Sequence, residues 1–251
     1  MTPRCWEHWI ERYGERGHRV LAPAWPGMEA EVEALRRDPS PIARLTIRAI
    51  LDHYERMIRE LDRPPIVMGH SFGGAFAQVL LDRGLGAAGV AIDSASIGVW
   101  RPPPLSTVRC VWRIALNPAN RHRAVGLTPA EFRCAFTHNL TAEESLAVYD
   151  RYHVPGAGRV FFEGAVANFD RRSPLRVDFG KDDRAPLLFV GGGRDRLVPA
   201  SFTRAGAARY RKSKAVTEYR EFPERTHSTL GQDGWEEVAD TALEWATAHA
   251  R

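Results

Sequence analysis

The chain has 251 residues, enough for one large α/β domain with a sizeable core. Hydrophobic residues make up 44% and charged residues 26%, and no apolar run approaches the ~20 residues of a membrane span. The net charge is only +4, mostly arginine scattered among acids, which excludes the basic stripe that nucleic-acid binding needs.

The first residues, MTPRCWEHW, lack the basic-then-apolar layout of a signal peptide, so a cytoplasmic location is expected. Cys5, Cys110 and Cys134 fit no metal spacing and are expected to be unpaired thiols. The nine histidines include no H-E-x-x-H or comparable cluster, and neither a metal nor a cofactor is expected.

In chain order, residues 6–16 read as an amphipathic helix closed by Gly17, and Arg19 to Ala22 as a short strand entering a Pro/Gly loop. Ser40 is placed as an N-cap, with Pro41 at the first helical position. Ile47, Ile50, Leu51, Tyr54, Ile58 and Leu61 recur at helical spacing until Arg63-Pro64-Pro65. Ile66, Val67 and Met68 suit a strand buried on both faces. The segment after Ala75 is helical, with Phe76, Val79 and Leu80 on one face, and Ala88 to Ala95 is another strand.

Alternation then breaks. Residues 97–182 are mainly helical and read as an inserted cap, with T-x-x-E capping boxes at Thr128 and Thr141. Its aromatic residues, among them Trp100, Trp112, Phe132 and Phe136, are expected to divide between a cap core and an apolar acyl pocket. Strand character returns at LLFVGGG after Pro186. A helix near 201–212, a strand near 215–222 and a helix from about Gly234 to Ala248 complete the chain. The core is thus expected at 1–96 and 183–251, and the cap at 97–182.

Between the strand at 66–68 and its helix stands Gly69-His70-Ser71-Phe72-Gly73. A strand that turns at once into a helix strains the intervening residue and needs nearly side-chain-free neighbours two positions away. The pattern G-x-S-x-G in this setting is a nucleophile elbow, with Ser71 beside a helix N-terminus. A serine hydroxyl needs a base and an orienting carboxylate, in the order serine, acid, histidine on this architecture. Asp195 follows a strand in Gly191-Gly192-Gly193-Arg194-Asp195, and His227 lies between the last strand and the last helix. Asp93, at the end of the preceding strand, is the competing acid. His70 reads as a structural neighbour of the serine.

GHSFGG, GGGRDRLVP and FPERTHS, in that order and split by a cap insertion, resemble the α/β-hydrolase superfamily over nearly the whole chain, closest to bacterial esterase- or lipase-like members. The resemblance implies an α/β-hydrolase fold: a mostly parallel sheet flanked by helices. It implies Ser71 as nucleophile, His227 as general base and then acid, Asp195 as orienting acid, and the Phe72 backbone N–H as an oxyanion-hole donor. RVLAPAWPG resembles the family's APDxxG segment, with Trp25 in place of the aspartate.

Members of this family normally carry earlier strands and an HG-type loop before the first helix. No such strand or His-Gly dipeptide precedes Trp6, so an N-terminally truncated sequence is expected, a naturally short variant being the alternative. Without the central strand that usually separates residues 19–22 from the elbow strand, backbone groups are left unpaired, or the 19–22 strand slides inward to pair. The expected reaction is hydrolysis of a small-molecule carboxylic ester. Thioester or C–C bond hydrolysis, cofactor-free oxygenation, and a non-catalytic member of the fold stay open beside it.

Overall fold

The computed structural model describes residues 1–250. In chain order it forms α1 (Glu7–Glu15), α2 (Val32–Arg37), α3 (Ile47–Arg59), β1 (Ile66–His70), α4 (Phe72–Asp82) and β2 (Ala88–Ile92). Then come α5 (Leu105–Ala115), β3 (Ala124–Val125), α6 (Pro129–Ala135), α7 (Ala142–Tyr152), β4 (Gly156–Ala157) and α8 (Gly158–Val166). The chain ends with β5 (Leu187–Gly192), α9 (Ala200–Arg209), β6 (Thr217–Phe222) and α10 (Trp235–His249).

The main sheet is parallel throughout, in the order β1-β2-β5-β6. Every residue of β2 and β5 is buried, because helices cover both faces. On one face, α1 and α10 bring Trp9, Tyr13, Val238, Ala242 and Trp245 against Val90, Ile92, Leu188 and Val190. The Trp9 indole N–H donates to Leu230 O at 2.9 Å, so its polar atom is satisfied within that core. The opposite face packs Leu81, Ala91, Leu187, Phe189 and Tyr210 together, and α4 lies against β1 and β2.

Parallel strands need long crossovers. The connection from β2 to β5 is the longest, and it carries α5 to α8 and the two-stranded antiparallel β3-β4 pair. Both capping boxes form there: the Thr128 and Thr141 hydroxyls accept from the Glu131 and Glu144 N–H groups, and each glutamate reaches back.

Two expectations are corrected. Residues 19–22 form no strand: Val20 is partly buried against the core, Leu21 is exposed, and no ladder joins this stretch to β1. β1 is therefore the edge of the sheet. The register turns Val67 and Gly69 toward β2, so the backbone groups of Ile66, Met68 and His70 point outward. The long helix also starts later than Ser40. Ser40–Ile42 make only a 3-10 turn, and the N-cap of α3 is Thr46, whose hydroxyl accepts from Ala49 N at 3.1 Å. Two potential caps lie six residues apart, and the apolar periodicity, which begins at Ile47, selects the second.

Candidate active site

Ser71 sits where β1 turns into α4, with φ 56° and ψ −119°. Few non-glycine residues adopt this conformation, and the surroundings enforce it. Ser71 N–H donates to Ile92 O at 2.9 Å, and Ser71 O accepts from Ala95 N at 2.9 Å and Gly74 N at 3.0 Å. The elbow is thus fastened to the end of β2.

The glycine requirement differs in part from the sequence expectation. A Cβ on Gly69 would lie 2.0 Å from Gly73 O, so position 69 admits no side chain. Gly73 itself faces open space, whereas a Cβ on Gly74 would lie 2.8 Å from Ser94 Cβ. The tight partner of Gly69 is therefore the backbone of Gly73, and the second side-chain-free position is Gly74. Phe72 is the first residue of α4, where helix geometry leaves its N–H without an intrahelical acceptor.

His227 and Asp195 meet at the carboxyl ends of β5 and β6. The loop after β5 is laced to the loop after β6: Gly193 N donates to Phe222 O and Arg194 N to Arg225 O, both at 2.9 Å. This brings His227 Nδ1 to 2.6 Å from Asp195 Oδ2, with both side chains fully buried. Asp195 Oδ1 accepts from Leu197 N at 2.7 Å and Val198 N at 2.8 Å, which fixes the carboxylate's orientation. Burial works against a charged His227, but the Asp195 carboxylate overcomes it. The net effect holds the imidazole above its ordinary value.

His227 Nε2 is buried and has no hydrogen-bond partner; no bond joins it to Ser71 Oγ among the described residues. Two rings flank it. His70 lies at 4.6 Å between centroids, and Phe136, just after α6, stands edge-on at 5.0 Å. Burial, then the charge of His227, holds His70 well below its ordinary value, so its ring is neutral. The β2–β5 connection also reaches the elbow and the acid loop. Gly164 of α8 packs so closely on Phe72 that a Cβ there would lie 2.5 Å from the ring, and Thr107 Oγ1 of α5 donates to Leu197 O at 3.0 Å.

Asp93, the competing acid, is fully buried at φ 42° and takes other partners. Its Oδ1 accepts from Gly192 N at 2.6 Å. Thr229 Oγ1 lies 2.6 Å from Asp93 Oδ2 and equally 2.6 Å from Thr226 O. One hydroxyl proton cannot serve two acceptors. In the protonated form of Asp93, Oδ2–H can donate to Thr229 while Thr229 donates to Thr226 O. Burial, then the proximity of Asp195, accordingly raises the Asp93 carboxyl to about 7.

His70, Asp93 and His227 bring three ligating atoms within 4.8 Å of one another. No hydrogen bond joins the three to one another: Asp93 is taken by Gly192 and Thr229, His227 Nδ1 by Asp195, and His70 Nε2, 3.9 Å from Asp93 Oδ2, has no hydrogen-bond partner among the described residues. Sequence reasoning missed Thr229 as a site neighbour and did not separate Phe136 from the other aromatic residues of the 97–182 segment. Thr229, two residues beyond His227, is signalled only by its place in the same loop.

Residues 1–241 match the model of the alpha/beta hydrolase family, and the chain belongs to that family. No curated protein matches the sequence. Among solved structures, a monoacylglycerol lipase of Paleococcus ferrophilus is similar at 17% identity, covering 98% of this chain and 89% of that one, with a TM-score of 0.64. A pyrethroid hydrolase of Sphingobium faniae is similar at 15% identity, over 98% and 93% of the two chains, with a TM-score of 0.63. A methylesterase of Arabidopsis is similar at 11% identity, over 98% and 94%, with a TM-score of 0.63. At these identities the likeness shows the fold. No helix among the described residues is long and apolar enough to cross a membrane.

Proposed function

We propose that this chain is a serine hydrolase of small-molecule carboxylic esters. One observation carries the reading: a strained serine at the β1–α4 elbow shares a sheet edge with a buried His227–Asp195 pair. The lipase, pyrethroid hydrolase and methylesterase among the structural neighbours support it as analogy.

In this reading, Ser71 Oγ passes its proton to His227 Nε2 and attacks the ester carbonyl carbon. Nε2 is the nitrogen without a partner, because Nδ1 is held by Asp195. The transfer requires Oγ to come within about 3.2 Å of Nε2, and such bonds often tighten only in the substrate complex. The oxyanion is received by the Phe72 N–H at the start of α4, a donor of the kind whose loss costs roughly 10²–10³ in rate. The imidazolium, stabilised by Asp195, then protonates the departing alkoxide. Water, deprotonated by His227, hydrolyses the acyl-Ser71 ester to the free acid.

The segment at 97–182 acts as the cap. Phe136 shields the His227 ring, and Phe72 and Gly164 join cap to elbow. The three free thiols fit a reducing, cytoplasmic setting. The experiment is hydrolysis of a p-nitrophenyl ester series from acetate to octanoate by the purified chain and by Ser71→Ala. Turnover that disappears with the hydroxyl supports the proposal. Turnover of thioesters or C–C bonded diketones in preference to esters redirects it within the same fold.

A further inference from the structure

Helix α5 turns an apolar stripe toward solvent. Leu105, Val108, Trp112 and Leu116 recur at helical spacing along its outer flank, and Leu105 and Leu116 are 87% and 73% exposed. The helix is not detached, since its other flank buries Cys110 and donates from Thr107 to Leu197 O. Five residues before Leu105 stands Trp100, which with Phe169 makes a second exposed apolar pair: the two are 62% and 76% exposed and stand edge-to-face at 5.0 Å. Exposed apolar surface of this extent marks an interaction site.

The charge around it is mainly positive, with Glu131 beside Arg113 and Asp170 beside Phe169. No aspartate or glutamate occurs between Asp93 and Glu131, a stretch that holds five arginines. Arg101, Arg109 and Arg113 are exposed beside the stripe, and only Arg113 is paired, with Glu131. The cleft next to Trp100 is lined by Arg101, Arg209, Arg211 and Lys212 and by no acid.

We propose that this face, α5 with Trp100 and Phe169, docks on an anionic lipid bilayer surface. The inference goes beyond the hydrolase reading and does not rest on it. Leucine and tryptophan side chains on a convex helical flank suit insertion among acyl chains and headgroups, with arginines alongside to meet lipid phosphates. A second copy of the chain is disfavoured, because a two-fold contact through this face would set its arginines against their equivalents.

The test is co-sedimentation of the intact chain with phosphatidylcholine vesicles, with and without phosphatidylglycerol. Partitioning onto the anionic vesicles is expected to exceed that onto phosphatidylcholine by at least about tenfold at low salt. Trp112→Ser with Leu116→Ser, and separately Arg101→Glu with Arg109→Glu, are each expected to reduce it by about tenfold or more. All four positions are exposed, so thermal melting of these variants should match the parent. Ser71→Ala should bind as the parent does, which separates docking from hydrolysis. Failure to bind either vesicle, or binding that both double variants leave unchanged, overturns the proposal. So does self-association, or capture of a soluble polyanion in place of vesicles, that the stripe variant abolishes.

Discussion

His227 Nδ1 lies 2.6 Å from Asp195 Oδ2, while Asp93, an equally buried carboxyl in the same cluster, is turned to Thr229 and Gly192. Two acids of one residue type are thereby separated by their hydrogen bonds. Asp195 orients the imidazole, and Asp93 ties the ends of β2 and β5 to the histidine loop.

Isosteric substitution tests that division. Asp195→Asn removes the charge beside Nδ1 and is expected to lower kcat by about 10³–10⁴. Asp93→Asn keeps both contacts, because the amide oxygen accepts from Gly192 N and the amide nitrogen donates to Thr229. Asparagine also tolerates the left-handed conformation. A loss below about tenfold is expected, the amide standing in for the protonated acid. Steady-state kinetics of the two variants decides it; comparable losses would show that Asp93 also works as an ionised partner of His227.

In the proposed mechanism, His227 must be neutral to accept the serine proton. Its pKa is raised by Asp195 above the ordinary histidine value, so the base is inactivated by protonation at pH values where an unperturbed histidine would already be free. As pH increases the rate should rise through a single deprotonation whose midpoint lies above about 6.5. Asp195→Asn should shift that midpoint downward. The pH profile of kcat/KM is the measurement.

Phe136, in the β2–β5 connection, stands edge-on to the His227 ring. Phe136→Ala should open the base to water and remove an apolar wall from the acyl side. The expected result is a higher KM for the longer esters of the series with a smaller change for acetate. Equal effects along the series would place Phe136 outside the acyl path.

Stability should be acid-sensitive through His153 in the β2–β5 connection. Its Nε2 accepts from Leu127 N at 3.0 Å, and burial holds the ring neutral down to about 4. In the unfolded chain the same ring protonates near 6.5. Stability from this site is therefore complete above about 6.5 and is lost as pH falls toward about 4, by roughly 2–3 kcal/mol. Thermal melts across that range should show the decline, and His153→Gln should flatten it.

Much of this was legible in the residues. The elbow, both capping boxes, the strand–acid and strand–histidine spacing and the helical insertion are local patterns, each fixed by a short run of sequence. What was not legible depends on long-range partners. Residues 19–22 carry strand-like composition, but a strand exists only where a ladder forms, and this stretch makes none with the open edge of β1. The start of α3 was misplaced because Ser40-Pro41 is a good local signal that packing overrides. Thr229 and Phe136 enter the site through loops and a helix far apart in sequence. The exposed stripe of α5 has the same periodicity as a core stripe, and only the fold shows which way it faces.

The most direct measurement is intact-mass labelling of the chain with a fluorophosphonate, beside Ser71→Ala and His227→Ala. The account predicts a single stoichiometric adduct, absent in Ser71→Ala and strongly slowed in His227→Ala. Equal labelling of the parent and Ser71→Ala, or no adduct on a chain that melts cooperatively, would contradict an activated Ser71.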